Sequence, residues 1–203
     1  MISFTFAMAL SRFDARRNAV LNEANAIGTT ALRARLLPAP HNTQSLSLLR
    51  EYTQLRLDLV RRLPSPAELS AGLARSNAIQ EALWQQAKAV ADKDSAMVPT
   101  GVFIQTLNEM IDNQEARLTA IRTRVPNIAL LALYGIAVVA SVFTGYAGGL
   151  ETRRSRVPAY VMGVVVATVI LLIQDLDRPG RGFVTVNQQP MIDAATSLAG
   201  YQE

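Results

Sequence analysis

The chain has 203 residues, of which half are apolar, and its formal net charge is +4. It contains no cysteine, which excludes disulfides, thiolate metal sites and cysteine nucleophiles. The only histidine, His41, lies in a Pro-Ala-Pro-His-Asn break and is expected to be a solvated loop residue, so we predict neither metal nor cofactor. The basic charge does not indicate a nucleic-acid partner, because no stripe of Lys and Arg interleaved with aromatic residues is present.

Residues 1–11, MISFTFAMALS, are apolar, and the chain then changes abruptly to charged residues at Arg12. This segment is too short to span a bilayer, and a signal peptide would carry its charge before the apolar run. We therefore expect it to be the end of a transmembrane helix whose beginning lies upstream of Met1. The alternative is the amphipathic start of a soluble helix.

Residues 12–124 are expected to form a cytoplasmic helical region. Apolar residues recur at helical spacing, as in Val20, Ala24, Ile27 and Ala31, with the arginines on other faces and Trp84 as a packing anchor. Prolines end the first two helices. The pattern predicts four helices: Arg12–Leu37, Thr43–Leu63, Ala67–Ala91 and Val102–Arg124.

Two long apolar runs follow, at 125–149 and 157–174, with a basic loop at 150–156 between them. As a helix, Asn127–Gly149 would be roughly 35 Å long and Val157–Gln174 roughly 27 Å, against a hydrocarbon core of roughly 30 Å. We predict two transmembrane helices in a lipid bilayer, because a buried soluble helix rarely needs such a run without one charge. A buried helical hairpin of a soluble protein is the alternative.

The arginines predict the orientation, since cytoplasmic loops carry an excess of Lys and Arg. If the helical region is cytoplasmic, three arginines of the 150–156 loop lie outside and eight lie inside near membrane ends. The protein would then be a multi-pass protein of the inner (plasma) membrane. The eight are Arg12, Arg16, Arg17, Arg117, Arg122, Arg124, Arg178 and Arg181.

The second apolar run ends in Asp175, Asp177, Arg178 and Pro179, which open a predicted cytoplasmic tail at 175–203. Proline and two nearby glycines predict an irregular turn, and FVTV after it alternates like a short extended piece. Carboxylates at a helix C-terminus oppose the helix dipole and need a cationic partner. We expect a structural turn in which a carboxylate pairs with a cation, of this chain or of a neighbouring subunit, rather than an ion-binding site.

Other carboxylates give weaker indications. Glu23 and Asn25 lie near the apolar stripe of the first helix, where a hydrogen bond within the helical bundle is favoured over lining a vestibule. Glu109 and Asp112 share one helix face, but no nucleophile or set of metal ligands accompanies them, so we expect a solvated or inter-helix role. We therefore predict that the chain is not an enzyme.

Three segments together resemble the bestrophins, and more closely a bacterial bestrophin-like family of unassigned function. They are FTFAMALSRFDARRNAVLNEANAIG, where an aromatic-rich membrane end continues into a long helix; TLNEMIDNQEARLTAIRTRVPNIALLALYG, with an LNE-type motif and a proline at membrane entry; and LLIQDLDRPGRGFVTV, a membrane exit followed by a turn. Each motif alone is weak, whereas their order around the apolar runs is fairly specific.

The resemblance implies an all-α membrane protein and a homo-oligomeric, pentameric channel for small monovalent ions. It would place Phe4 and Met8 at the cytoplasmic end of an apolar neck, which gates by dewetting. The acidic run of a calcium clasp is missing after the turn, and Gly180 replaces an aromatic residue, so calcium gating is not implied. The alternative is a non-conducting scaffold that binds a partner through its cytoplasmic helices. An intramembrane enzyme would need a polar cluster that the two apolar runs lack.

Overall fold

The computed structural model describes residues 1–61, 65–93, 98–150, 157–178 and 182–201. These residues fold into helices, with no strand among them, so the predicted all-α fold is confirmed. Residues 151–156 of the predicted 150–156 loop, together with Pro179, Gly180 and Arg181, lie outside the described residues. The helices are α1 Ile2–Ala34, α2 His41–Arg61, α3 Pro66–Ala91, α4 Val98–Arg122, α5 Asn127–Leu150, α6 Val157–Asp177 and α7 Gln189–Gly200.

The chain divides into two compact units. The first, which we call the hairpin unit, comprises Met1–Ala15 and Ile121–Val186. The second, the bundle unit, comprises Arg16–Ala120 and Asn187–Glu203. Helix α1 continues without a break through Arg12, where the sequence changes from apolar to charged, because no proline or glycine interrupts it there.

The bundle unit buries the apolar stripe predicted for α1: Val20, Ala24, Ile27 and Ala31 are at most 4% exposed. Alanine at two of these positions lets neighbouring helices approach α1 closely. The predicted cytoplasmic tail contains α7, which packs on α2. The largest fully buried apolar side chains of this unit are Ile27, Leu49, Tyr52, Ile79, Leu83, Phe103, Leu107, Met110, Met191 and Leu198.

Helix boundaries in the bundle unit follow local capping. Ser65 and Glu68 form a capping box at the start of α3: the Glu68 N–H donates to Ser65 Oγ at 3.3 Å, and the Ser65 N–H donates to Glu68 Oε2 at 2.7 Å. Helix α4 begins at Val98, four residues earlier than predicted. Its early start places Pro99 in the first turn, where the missing N–H of proline removes no helical hydrogen bond.

His41 and Trp84 of the bundle unit do not match their predictions. His41 is not a solvated loop residue: it is the first residue of α2, is 9% exposed, and has its Nδ1 2.8 Å from Gln86 Oε1. The turn after Pro38 places it there, since the His41 N–H donates to the Pro38 carbonyl at 2.9 Å. Trp84 is not a packing anchor, because 36% of it is exposed at the surface of α3.

In the hairpin unit, α6 continues three residues beyond Gln174, so Asp175 and Asp177 belong to its last turn and do not follow it. Both α5 and α6 are long and apolar enough to cross a membrane. In the most apolar stretch of each helix, only 6% of the residues in α5 and 11% of those in α6 are buried. The helices of a buried hairpin in a soluble protein would instead be mostly buried. The buried cluster of this unit is small and consists of Ala9, Val125, Leu133, Ile173 and Leu176.

Candidate functional site

The first four turns of α1 have two different faces in the hairpin unit. Thr5 and Ala9 are fully buried, and the Thr5 hydroxyl donates to the Met1 carbonyl at 3.1 Å. The opposite face is exposed at positions three or four apart and is mostly small or polar, with Phe4 as its aromatic residue and Leu10 at its edge. Its exposed residues are Ser3, Phe4, Ala7, Leu10, Ser11, Asp14 and Ala15.

Phe4 and Met8, the two residues that the resemblance placed at a neck, differ in their exposure. Phe4 is 61% exposed and belongs to the exposed face. Met8 is half-buried on the flank of the helix, where it packs against the buried cluster that contains Ala9 and Val125. Of the two, Phe4 is the residue that stands free to meet a pore axis, lipid or another subunit.

The outer faces of α5 and α6 have a different composition from that of α1. None of their described exposed side chains is charged, and the large ones are mainly apolar, which is typical of a lipid-facing surface. Examples with at least 60% exposure are Ile128, Leu131, Val138, Val142, Phe143, Met162 and Val164.

Asp175 organises the chain after α6. Its Oδ1 accepts the Phe183 N–H and its Oδ2 accepts the Val184 N–H, both at 2.8 Å. Gly182 is required beside it, because a Cβ there would lie 2.6 Å from Asp175 Oδ1 and 2.9 Å from the Asp175 carbonyl oxygen. The FVTV segment, predicted to be extended, begins in bends around this carboxylate.

Asp177 and Arg178 occupy different environments. Asp177 is 8% exposed, and its Oδ1 accepts the Val125 N–H at 2.8 Å. Arg178 is exposed, and its N–H donates to the Asp175 carbonyl at 3.2 Å. The sequence predicted a cationic partner for these carboxylates; the partners seen here are backbone N–H groups, which also carry partial positive charge.

A second polar centre, in the bundle unit, is built around Glu23 of α1. The Arg56 guanidinium on α2 donates from Nε to Glu23 Oε1 at 2.7 Å and from Nη2 to Oε2 at 3.3 Å. Arg117 on α4 donates from Nη1 to Oε2 at 2.5 Å. The three side chains are at most 5% exposed, so this is a buried carboxylate between two buried guanidinium groups.

An amide layer continues this centre. The Tyr52 hydroxyl lies 3.0 Å from Glu23 Oε1 and 2.9 Å from Gln114 Oε1, and because it carries one proton it donates to one of them at a time. Gln80 of α3 donates to Gln114 at 3.1 Å. Arg117 donates from Nη2 to Gln188, the residue before α7, at 3.0 Å. The network therefore joins α1, α2, α3, α4 and the start of α7.

Electrostatics keep Glu23 ionised. Burial on its own would raise the pKa of this carboxyl, but the charges and hydrogen bonds of Arg56 and Arg117 outweigh it, so the pKa lies below its ordinary value of 4.5. Burial, and then the neighbouring Glu23 carboxylate, raise the pKa of the Tyr52 phenol. Because every oxygen of Glu23 is occupied by a donor, this centre fixes helices and leaves no lone carboxylate for acid–base chemistry.

The sequence predicted only part of the Glu23 centre. The hydrogen bond within the bundle that we favoured for Glu23 is confirmed, whereas Asn25 is exposed. The expectation that Arg56 lies off the apolar face is wrong, because it stands one turn from the buried Tyr52 on the same face. Glu109 and Asp112 are exposed. Among the residues that the structure describes, no group of three or more His, Cys, Asp or Glu side chains could hold a metal ion.

Comparison with known proteins agrees with this fold. The chain is similar to a crystal structure of a membrane protein, with 19% identity and a TM-score of 0.74 over 100% of this chain and 83% of that one. It is also similar to a bacterial bestrophin homologue from Klebsiella pneumoniae, with 18% identity and a TM-score of 0.73 over 98% of this chain and 83% of that one. No curated protein has a matching sequence.

The sequence model of one protein family, described as Bestrophin-like domain, matches residues 1–191. This range contains all three segments whose order suggested the resemblance, together with the helices of both units up to the first residues of α7. The predicted bestrophin-like fold is confirmed, and the chain belongs to the bestrophin-like family.

Proposed function

We propose that the protein is a subunit of a homo-oligomeric, passive channel for small monovalent ions in the inner membrane. Bestrophins are ion channels, and the chain shares their family and fold. The observation that carries the proposal is the contrast between the exposed face of α1 and the exposed faces of α5 and α6. It supports a water-facing role for the first face and a lipid-facing role for the other two.

The lipid-facing part of the proposal rests on α5 and α6. Their large apolar side chains are exposed along most of each helix, for example 69% at Phe143 and 66% at Val164. In water this surface would be a very large apolar patch, whereas in a bilayer each side chain meets a hydrocarbon environment. The two helices therefore cross the membrane as a hairpin.

The pore-facing part rests on α1. Ser3, Ser11 and Asp14 would be poorly placed against lipid, since small polar and charged groups lose their hydration there. Around the axis of a symmetric oligomer, the same face lines a water-filled passage in which one Phe4 from each subunit forms an apolar ring. Such a ring restricts flow by dewetting and lets ions pass without strong binding.

We place the bundle unit in the cytoplasm. The structure reduces the support for this orientation, since Arg16 and Arg117 are buried and cannot meet lipid headgroups; removing them from the eight cytoplasmic arginines leaves six. Six against three in the 150–156 loop still favours a cytoplasmic bundle. The Glu23 centre gives that bundle a rigid frame, as the wall of a vestibule requires.

The test is ion flux through the purified, full-length protein in liposomes. Halide and potassium fluxes are recorded over a range of pH and calcium concentrations, with protein-free vesicles as the control. We expect protein-dependent flux of small monovalent ions. Absence of flux under all these conditions would overturn the channel proposal and leave a non-conducting scaffold.

A further inference from the structure

The turn after α6 presents an aromatic side chain that the other described residues leave entirely uncovered. Phe183 is 102% exposed, the highest exposure of any large apolar residue in the described part of the chain. Its neighbour Val184 is 37% exposed. A fully exposed phenylalanine is unfavourable in water, since burying such a side chain stabilises by about 1.5–3 kcal/mol.

The exposure of Phe183 is built into the turn. Asp175 accepts the N–H groups of both Phe183 and Val184 at 2.8 Å, which fixes the backbone on which the two side chains stand. Gly182 lets that backbone approach Asp175 within a distance that a Cβ would block. The aromatic side chain is therefore held outward by a defined structure.

The level of Phe183 along α6 follows from the same contacts. Asp175 directly follows Gln174, the end of the apolar run, and lies in the last turn of α6. A backbone held 2.8 Å from its carboxylate stands at that level, where the apolar surface of the hairpin ends and the charged residues begin. Arg178, exposed on the same turn, is placed to meet lipid phosphates.

We propose that Phe183, with Val184 beside it, inserts into the boundary between lipid headgroups and acyl chains and anchors the end of α6 to the bilayer. The proposal rests on the proposed membrane function. Phenylalanine side chains of interfacial segments insert at the boundary between headgroups and acyl chains, and the site is continuous with the lipid-facing surface of α6. The partner is the lipid surface itself, and Asp175 is the positioning residue that holds the anchor outward.

The experiment uses tryptophan fluorescence, since Trp84 is the only tryptophan of the chain. In the full chain carrying Trp84→Phe and Phe183→Trp, the single tryptophan reports on the turn, and an exposed side chain has no packing to lose. The protein is placed in vesicles whose lipids carry bromine either near the headgroup or near the end of the acyl chain. A matched variant carries Trp84→Phe and Phe143→Trp, on the exposed face of α5.

We expect loss of emission from the Phe183→Trp variant with bromine near the headgroup, and a smaller loss with deep bromine. The Phe143→Trp variant should be quenched by deep bromine. If only the Phe143→Trp variant is quenched by the brominated lipids, the anchor is overturned while the membrane assignment survives. Quenching of the Phe183→Trp variant by aqueous iodide would then place the turn in water. Protection of that variant from both bromine and iodide would place a second copy of the chain over the turn. No lipid quenching of either variant would overturn the membrane assignment as well.

Discussion

The Val125 N–H donates to Asp177 Oδ1 at 2.8 Å, which joins the residue two positions before α5 to the last residue of α6. The carboxylate sits unfavourably at the C-terminus of its own helix, but here it faces the N-terminal end of α5, where the helix dipole is positive. Val125 is 2% exposed and Asp177 is 8% exposed, so water cannot replace the interaction. The pair closes the hairpin at its base.

Replacing Asp177 by Ala should therefore destabilise the protein. The substitution leaves the buried Val125 N–H without its acceptor, a loss of about 1–3 kcal/mol. Asp177→Asn keeps an amide oxygen that can still accept this hydrogen bond, so its effect should be smaller. Melting in detergent measures both, with Asp112→Ala at an exposed position of α4 as the control; equal melting of Asp177→Ala and the parent would contradict the structural role.

Gly182→Ala should also destabilise the protein, for a steric reason. The new Cβ would meet the Asp175 carbonyl oxygen at 2.9 Å, and that backbone belongs to α6 and cannot move aside. Gly28→Ala is the matched control, because apart from the adjacent backbone of α1 no atom lies within 4 Å of a Cβ there, and alanine favours the interior of a helix. We expect the first variant to melt below the parent and the second at or above it; a Gly182→Ala protein with parental melting would show that the turn adapts.

Glu23→Gln should destabilise the bundle unit strongly. The substitution leaves Arg56 and Arg117 buried without their counter-charge, and breaking a buried pair in this way typically loses about 3–5 kcal/mol. Glu109→Gln, at an exposed carboxylate of α4, is the control and should have little effect. Thermal or denaturant unfolding distinguishes the two, and similar stabilities would contradict the assigned role of the centre.

The same carboxylate gives a pH dependence. Because the pKa of Glu23 is lower in the folded protein than its ordinary 4.5, the folded state favours the ionised form. Its contribution is fully present above that ordinary pKa and is lost as the pH falls through the lower, folded pKa. The acid side of a stability profile should therefore be steeper for the parent than for Glu23→Gln, and parallel acid limbs would exclude Glu23 as the cause.

The Glu23 centre illustrates how far the sequence could predict this fold. Periodicity predicted the buried stripe of α1 because it is local, and it placed Glu23 near that stripe. The partners of Glu23 come from α2 and α4, 33 and 94 residues away, and no local pattern links them. Arg56 falls four residues after Tyr52, and Arg117 three after Gln114, so both arginines continue buried helix faces. The prediction missed them because it placed the arginines on solvent-facing sides of their helices.

The end of the second apolar run shows another limit. Composition stopped the predicted helix at Gln174 because charges begin there, whereas the hydrogen bonds continue to Asp177. A helix ends where its backbone loses partners, and here the carboxylates of Asp175 and Asp177 bind backbone groups from other segments. Such pairings across distant segments cannot be obtained from hydropathy alone.

Val138→Arg tests the membrane assignment. Val138 lies near the middle of α5 and is 62% exposed, so a guanidinium there would face hydrocarbon, at about 2.5–3.5 kcal/mol on insertion scales. We expect loss of membrane insertion or of stable expression, measured by fractionation. Val98→Arg, the same change at a 74% exposed site that begins α4, should be tolerated. Normal soluble expression of the Val138→Arg protein would show that α5 does not cross a membrane.

Phe4→Ala tests the neck, and Met8→Ala is its matched control. Phe4 stands on the exposed face of α1, so its truncation removes little packing within the chain but would widen and wet an apolar ring. Met8 packs against the buried cluster of the hairpin unit, so its truncation should lower stability without a comparable rise in flux. Halide and potassium fluxes in liposomes, together with melting in detergent, are measured for both variants. Higher flux with parental melting for Phe4→Ala, and the reverse for Met8→Ala, is the expected result. If Phe4→Ala leaves flux unchanged in a protein that conducts, the face of α1 that carries Phe4 does not line the constriction.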